Sequence, residues 1–264
     1  MKGMLMAIWS YRHFIVSSIR NDLRSRFARS KLGAVWMILQ PLAQVLIYSL
    51  VLSRIMIAKL PGIDSPYAYS IYLLAGMQAW SLFNEVVTRS LTVFVENGSL
   101  LKKIVFPRVC LPIVVLGSAL VNNILLFVVM MIVFALLGHF PLYALLWMPV
   151  LTLVTAAFSL GLGLLMGVLN VFVRDVAQFM MVVLQLWFWL TPVVYMVSII
   201  PERLHTAMHL NPMYWIVAAY QETLVYGRAP ELNGLAVVTV AALILLACSL
   251  LLFRKAAPDM VDVL

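Results

Sequence analysis

The sequence predicts an all-α polytopic membrane protein: six transmembrane helices, an N-terminal amphipathic interface helix, and short re-entrant helices before the last span. Three observations carry that prediction. The 264 residues are 64% hydrophobic and only 11% charged, where a soluble domain carries about 25% charged residues. The apolar residues gather into runs long enough to cross a hydrocarbon core of ~30 Å, which takes about 20 residues of helix. The cations collect beside alternate ends of those runs, as the positive-inside rule requires. Mean hydropathy is +1.05, which excludes a soluble globule, a disordered chain, a collagen and a coiled coil.

The whole chain, 1–264, reads as one transmembrane domain. Residues 1–32 are the interface helix, 33–199 hold spans one to five, 200–234 form a re-entrant segment, 235–253 is the sixth span, and 254–264 is a tail. The first span is expected at about 33–57, with a kink at Gln40-Pro41. The second, about 67–95, carries Asn84, Glu85 and Arg89 toward its end. The third to fifth are expected at about 109–137, 142–173 and 179–199. Residues 213–225 are apolar but too few to cross, so they read as re-entrant or interfacial.

Orientation follows from Lys and Arg. Thirteen of eighteen cations fall on one side: Lys2, Arg12, Arg20, Arg24, Arg26, Arg29 and Lys31 first, then Lys102, Lys103, Arg108, Arg174, Arg254 and Lys255. Arg54, Lys59, Arg203 and Arg228 fall on the other. Both termini are therefore expected in the cytoplasm. The segment before the first apolar run does not read as a cleavable signal peptide. Cys110 and Cys248 read as small buried hydrophobes.

Catalytic patterns are missing from the sequence. There is no G-x-x-x-x-G-K-[ST] loop to cradle a nucleotide phosphate. Ser159, Gly163 and Gly167 recur every four residues inside a span, which fits close helix packing better than a phosphate turn. His205 and His209 lack a third ligand, so no metal is expected. The ten acidic residues are scattered, with no D-D-x-x-D run of the kind that a polyprenyl-lipid enzyme would use.

Two basic segments stand out. On a helix over 9–31, Ile15, Ile19, Leu23 and Phe27 form one apolar stripe, and Arg12, Arg20, Arg24, Arg26, Arg29 and Lys31 occupy much of the rest. Such a helix lies at a membrane surface with cations among headgroups, and it can also meet a phosphate-bearing substrate or a partner protein. The connection 96–108 places Leu100, Leu101, Ile104 and Val105 beside Lys102, Lys103 and Arg108, a face suited to a soluble partner or to the membrane surface. Glu85 and Arg89 stand four apart in the favoured order for an intramembrane ion pair, with a proton relay as the alternative. Aromatics crowd the fifth span and the segment after it, including Trp187, Trp189 and Tyr195, and Trp36 adds to them from the first. Interfacial belts or a passing carbohydrate would both favour such rings.

The runs Tyr11-Arg12-His13-Phe14-Ile15, Arg24 through Trp36 and Leu39-Gln40-Pro41-Leu42 resemble the start of the ABC-2 type permeases that export polysaccharides. Phe106-Pro107-Arg108, Asn170 through Val176, Trp189-Leu190-Thr191-Pro192-Val193-Val194-Tyr195 and Leu210-Asn211-Pro212-Met213 are similar to later landmarks of that family, in order. Met196 departs from it, standing where many relatives carry a second proline.

The resemblance implies a bacterial inner-membrane permease, not an enzyme, that works as a homodimer with a separate ATP-binding-cassette ATPase subunit. ATP and Mg would be bound by that subunit, and no cofactor by this chain. It implies a lipid-linked, O-antigen-like polysaccharide as substrate, with membrane lipids as surroundings and no nucleic-acid partner. Arg24, Arg26, Arg29 and Lys31 would meet the pyrophosphate headgroup. Leu100, Leu101, Lys102, Lys103 and Arg108 would couple to the ATPase, and Trp36, Trp187, Trp189 and Tyr195 would line the sugar path. Capsule, teichoic-acid or drug export, an ion-coupled carrier using Glu85 and Arg89, and a polyprenyl-lipid enzyme are the alternatives.

Overall fold

The structure, a computed structural model, describes residues 6, 8–25, 35–47, 68–103, 106–197 and 200–263. Lipid cannot satisfy a bare backbone amide, and every regular element described is α-helical, with no strand among the described residues. In chain order they are α1 (Arg12–Ser25), α2 (Trp36–Ile47), α3 (Ala68–Glu96), α4 (Gly98–Lys103), α5 (Cys110–Leu136) and α6 (Ala144–Phe172). Then come α7 (Asp175–Leu190), α8 (Glu202–His209), α9 (Pro212–Val225), α10 (Leu232–Ala256) and α11 (Met260–Val263).

Three of these, α5, α6 and α10, are long and apolar enough to cross a membrane. The least covered of the three, α10, is also the most apolar, as contact with lipid requires. By contrast, α3 is as long as α6 but more polar, and it is buried along most of its length between α5, α6 and α9. A helix walled in by protein can carry polar groups if the wall answers them. Gln78 donates to the Asn123 backbone and side-chain oxygens at 2.9 and 3.0 Å, and Asn123 donates back to the Gln78 carbonyl at 2.9 Å.

The α3–α6 contact depends on missing side chains. A methyl group on Gly163 would sit 2.8 Å from the Ser90 Cβ, and one on Gly167 would collide with the Ser90 carbonyl oxygen. The four-residue spacing therefore serves helix packing, as small residues do in membranes.

The boundaries of α3, α5 and α6 fall within a residue or two of the spans read from hydropathy, and α10 runs about a turn beyond them. The fifth span differs. It was expected over 179–199, whereas α7 begins at Asp175 and ends at Leu190. Proline forces its predecessor out of the helical region, and Thr191 before Pro192 is extended at φ −110 and ψ 133. Of the first span only the part in α2 lies within the described residues, and it is helical through Pro41. Of the expected interface helix, 1–32, residues 1–5, 7 and 26–32 lie outside them.

On α1, Ile15 is buried, and Ile19 approaches Gly117 of α5 so closely that a Cβ there would overlap it. Ile15 and Ile19 of the apolar stripe thus turn toward the chain's own core and α5 rather than to a membrane surface, while Trp9, Tyr11, Phe14 and Val16 stay exposed. Cys110 is buried as expected, but Cys248 is exposed on the sparsely covered α10. The short α8 leads into α9, whose 14 residues span about 21 Å, too little for the ~30 Å core. Yet α9 packs deep against α3 and α6, with Tyr220 fully buried.

Candidate functional site

The long α3 connects two chemically different places. Its 29 residues reach about 43 Å, from Tyr69 and Tyr72 near one end to Arg89 and Glu96 near the other.

At the basic end, α1, α3, α4 and α5 enclose a cavity of about 560 Å³ lined by Phe14, Ser18, Asp22, Thr88, Arg89, Thr92, Glu96, Asn97 and Leu100 among others. Arg89 meets Glu85 on its own helix at 3.7 Å, but its closer contact is Asp22 of α1 at 2.8 Å. Asn122 of α5 donates to Glu85 at 2.9 Å, so three helices share one charged network. An i,i+4 surface pair contributes about 0.3–0.5 kcal/mol, whereas a hydrogen bond to a charged group contributes about 1.5–3. The Asp22 contact therefore dominates, and Arg89 ties α1 to the bundle. Sequence spacing alone pointed to Glu85; a partner 67 residues away leaves no local signal.

The connection after α3 turns on Asn97, whose side chain donates to the Val93 carbonyl at 2.8 Å. Its own carbonyl accepts from Leu100 and Leu101 at 3.0 and 2.9 Å. Leu101 is buried within a cluster formed with Phe94, Leu111, Val168 and Phe253, so it faces the chain's own core. Leu100 lines the cavity, Lys102 is exposed and Arg108 is half-buried. The Lys103 side chain lies outside the described residues. Phe106 reaches Phe14 of α1 with ring centroids 5.3 Å apart, so the two basic segments touch. Of the headgroup candidates, Arg24 is exposed at the end of α1, and Arg26, Arg29 and Lys31 lie outside the described residues.

At the opposite end, a cleft of about 840 Å³ opens between α7, the chain after it, α8 and the start of α9. Trp187, Trp189 and Tyr195 all line it; Trp36, on α2, is not part of its described lining. Asn211, which carried no role in the sequence reading, organises this end. Its Oδ1 accepts from the Trp187 indole at 2.8 Å and from the Met213 amide at 3.0 Å, capping α9. Its Nδ2 donates to the Thr191 hydroxyl at 2.9 Å, and that hydroxyl donates to the Trp187 carbonyl at 2.9 Å, closing a ring of three residues. The Trp187 ring is then fixed edge-on against Phe83 at 5.3 Å. Trp189 remains largely exposed, and its carbonyl accepts from the Tyr195 hydroxyl at 2.8 Å.

The non-helical stretch after α7 is held by its carbonyls. Tyr69 donates to Val194 at 2.5 Å, Tyr72 to Tyr195 at 3.3 Å, and Gln221 to Pro192 at 3.1 Å. Gly76 lets this stretch lie against α3, since a Cβ there would stand 2.9 Å from the Val193 carbonyl oxygen. Backbone that leaves the helix inside a packed bundle must have its polar groups answered, and here three side chains do so. Among the described residues, no group of three or more His, Cys, Asp or Glu is placed to hold a metal ion.

The profile of the ABC-2 type transporter family matches residues 13–225. The O-antigen export system permease protein RfbA of Myxococcus xanthus is 27% identical over 241 residues, covering 90% of each chain. An RfbA of Klebsiella pneumoniae is 26% identical over 245 residues, 91% of each. The polysialic acid transport protein KpsM of Escherichia coli is 24% identical over 230 residues, 84% of this chain and 86% of the relative.

Proposed function

The chain belongs to the ABC-2 type transporter family, and from that premise we propose that it is the permease subunit of an ATP-binding-cassette exporter that moves a lipid-linked, O-antigen-like polysaccharide from the cytoplasmic side of the bacterial inner membrane. The observation that carries this reading is the similarity to two O-antigen export permeases along about nine-tenths of the chain. The polarity of the bundle supports it, with an ionic cavity at one end of α3 and an aromatic cleft at the other.

In this reading two copies form a pore, with both termini in the cytoplasm, and six spans per copy cross the membrane. A separate ATPase subunit binds ATP and Mg, and its closure moves the permease through α1 and α4. Lys102, Lys103 and Arg108 provide the docking charges, with Leu100 beside them, while Leu101 holds α4 to the core. Carrying a pyrophosphate through hydrocarbon is costly, and Arg24, Arg26, Arg29 and Lys31 replace part of its hydration at the entrance. Trp189 and Tyr195 present ring faces to the sugar chain at the exit, Trp187 is the fixed wall behind them, and Trp36 contributes from the first span. Residues 200–234 form a re-entrant segment at that mouth.

Deletion of the gene with complementation tests the reading. Loss of surface polysaccharide, restored by the chain together with a co-purifying ATPase subunit, is the expected result. Unchanged surface polysaccharide, or export that persists with no ATPase partner, would overturn it. Similarity to the polysialic acid transport protein favours capsule as the second substrate class. Which surface polymer disappears on deletion decides between the two.

A further inference from the structure

A third cavity, of about 350 Å³, opens between α3 and α7. Trp80 and Phe188 line it with their rings edge to face at 5.3 Å. Beside them stand the carboxamides of Asn84 and Gln185, and neither is hydrogen-bonded to another described residue. Thr88 also lines it, with its hydroxyl committed to the Asn84 backbone carbonyl at 2.6 Å.

Asn84 lies within a turn of the midpoint of the 29-residue α3. With α3 crossing the membrane as proposed, an unanswered amide at that depth cannot face lipid tails without a large penalty, so this face meets water or a polar ligand. No charged side chain appears in its described lining, which makes it a poor site for a pyrophosphate or an ion. A half-buried ring, Phe188, backed by the buried Trp80 and standing beside two amides, suits a pyranose. The C–H face of the sugar stacks on a ring, and its hydroxyls both donate to and accept from carboxamides.

The aromatic cleft has less of that second half, since the Trp189 indole N–H is the one donor of its three aromatic residues left without a partner among the described residues. The Trp187 indole N–H, the Tyr195 hydroxyl and both ends of the Asn211 amide are all committed within the chain. We propose that the Asn84–Gln185 cavity is a binding site for neutral hexose units, where the moving polysaccharide exchanges hydrogen bonds with the protein, while the cleft offers chiefly ring faces. This rests on the reading of the chain as a polysaccharide permease.

The test uses the full permease with its ATPase partner in lipid nanodiscs and maltohexaose as the probe, read by saturation transfer to the sugar C–H protons. Transfer is expected with the parent, reduced about fivefold by Gln185→Leu, the scale of one neutral hydrogen bond, and lost in Asn84→Leu/Gln185→Leu. Gln185 is exposed on α7, so the single variant should keep the parent's thermal unfolding even if the double one does not. No transfer to the parent, or undiminished transfer to Gln185→Leu, would overturn the proposal. A deletion strain that keeps its surface polysaccharide would instead sink the export reading, and the binding measurement would stand apart from it.

Discussion

The two ends of α3 are held by different chemistry. At the basic end, Arg89 joins Asp22 of α1 and Glu85 of its own helix by charge, at 2.8 and 3.7 Å, and the side chains stay about a quarter exposed. At the aromatic end, Tyr69, Tyr72, Gln221 and Asn211 hold their neighbours through neutral hydrogen bonds. Partly exposed ion pairs exchange readily with water and with other ions. The neutral bonds, of which that of Gln221 is fully buried, are directional and hold one geometry. In the proposed reading, the basic end is the one to be moved and the aromatic end the one to stay shaped: an end that receives motion from a partner needs contacts that can exchange, and a mouth needs a fixed outline.

The largest expected effect lies at the basic end. Reversing Lys102, Lys103 and Arg108 to Glu together should lower co-purification of the ATPase subunit by about a hundredfold, because like charges facing a docking surface cost several kcal/mol. Membrane insertion should persist. Unchanged co-purification would remove this end's claim to be the driven one.

Next comes Arg89→Ala. Breaking a fully buried pair costs about 3–5 kcal/mol, and partial exposure brings the expectation down to about 2 kcal/mol. Thermal unfolding in detergent measures it. A double-mutant cycle sharpens the comparison: coupling of Arg89 to Asp22 should be about 1 kcal/mol or more, and to Glu85 about 0.3–0.5. A larger coupling to Glu85 would mean that α1 is not held by this arginine.

Much of this was legible in the sequence, for physical reasons. The ends of α3, α5 and α6 could be read because apolar runs stop where the chain meets water, at turns such as Gly138–Pro141. The end of α7 could not be read from hydropathy, since the apolar run continues past Pro192 and only the backbone constraint stops the helix. Trp187, Trp189 and Tyr195 could be grouped in advance because aromatics gather at one end of a span, and all three line one cleft. Asp22 and Asn211 were missed because a single polar residue acquires its meaning from partners brought up by folding.

Asn211→Ala should cost about 2 kcal/mol, from a lost helix cap of about 1 kcal/mol and a lost indole bond of similar size. Asn211→Ser separates the two, because serine caps α9 but is too short to reach Trp187. It should retain about half of the loss. If serine is as harmful as alanine, the indole contact is what matters, and if serine equals the parent, only the cap does.

The smallest effect is the most diagnostic of a fixed outline. Tyr69→Phe and Tyr72→Phe each delete one hydroxyl while keeping the ring. The Tyr69 bond to Val194 is short at 2.5 Å, and the Tyr72 bond to Tyr195 is long at 3.3 Å. A net hydrogen bond contributes about 1 kcal/mol, and one near the outer limit of distance contributes less. Tyr69→Phe should therefore lower stability by about 1 kcal/mol and Tyr72→Phe by a few tenths. Neither ring moves, so any change in export rate reports the freed carbonyls of Val194 and Tyr195 rather than lost packing. A Tyr69→Phe protein that exports at the parent rate despite its lower stability would show that the mouth tolerates a loose rim. A fall in export with both variants in the same order as the bond lengths would show that the stretch after α7 must be held still for the sugar to leave.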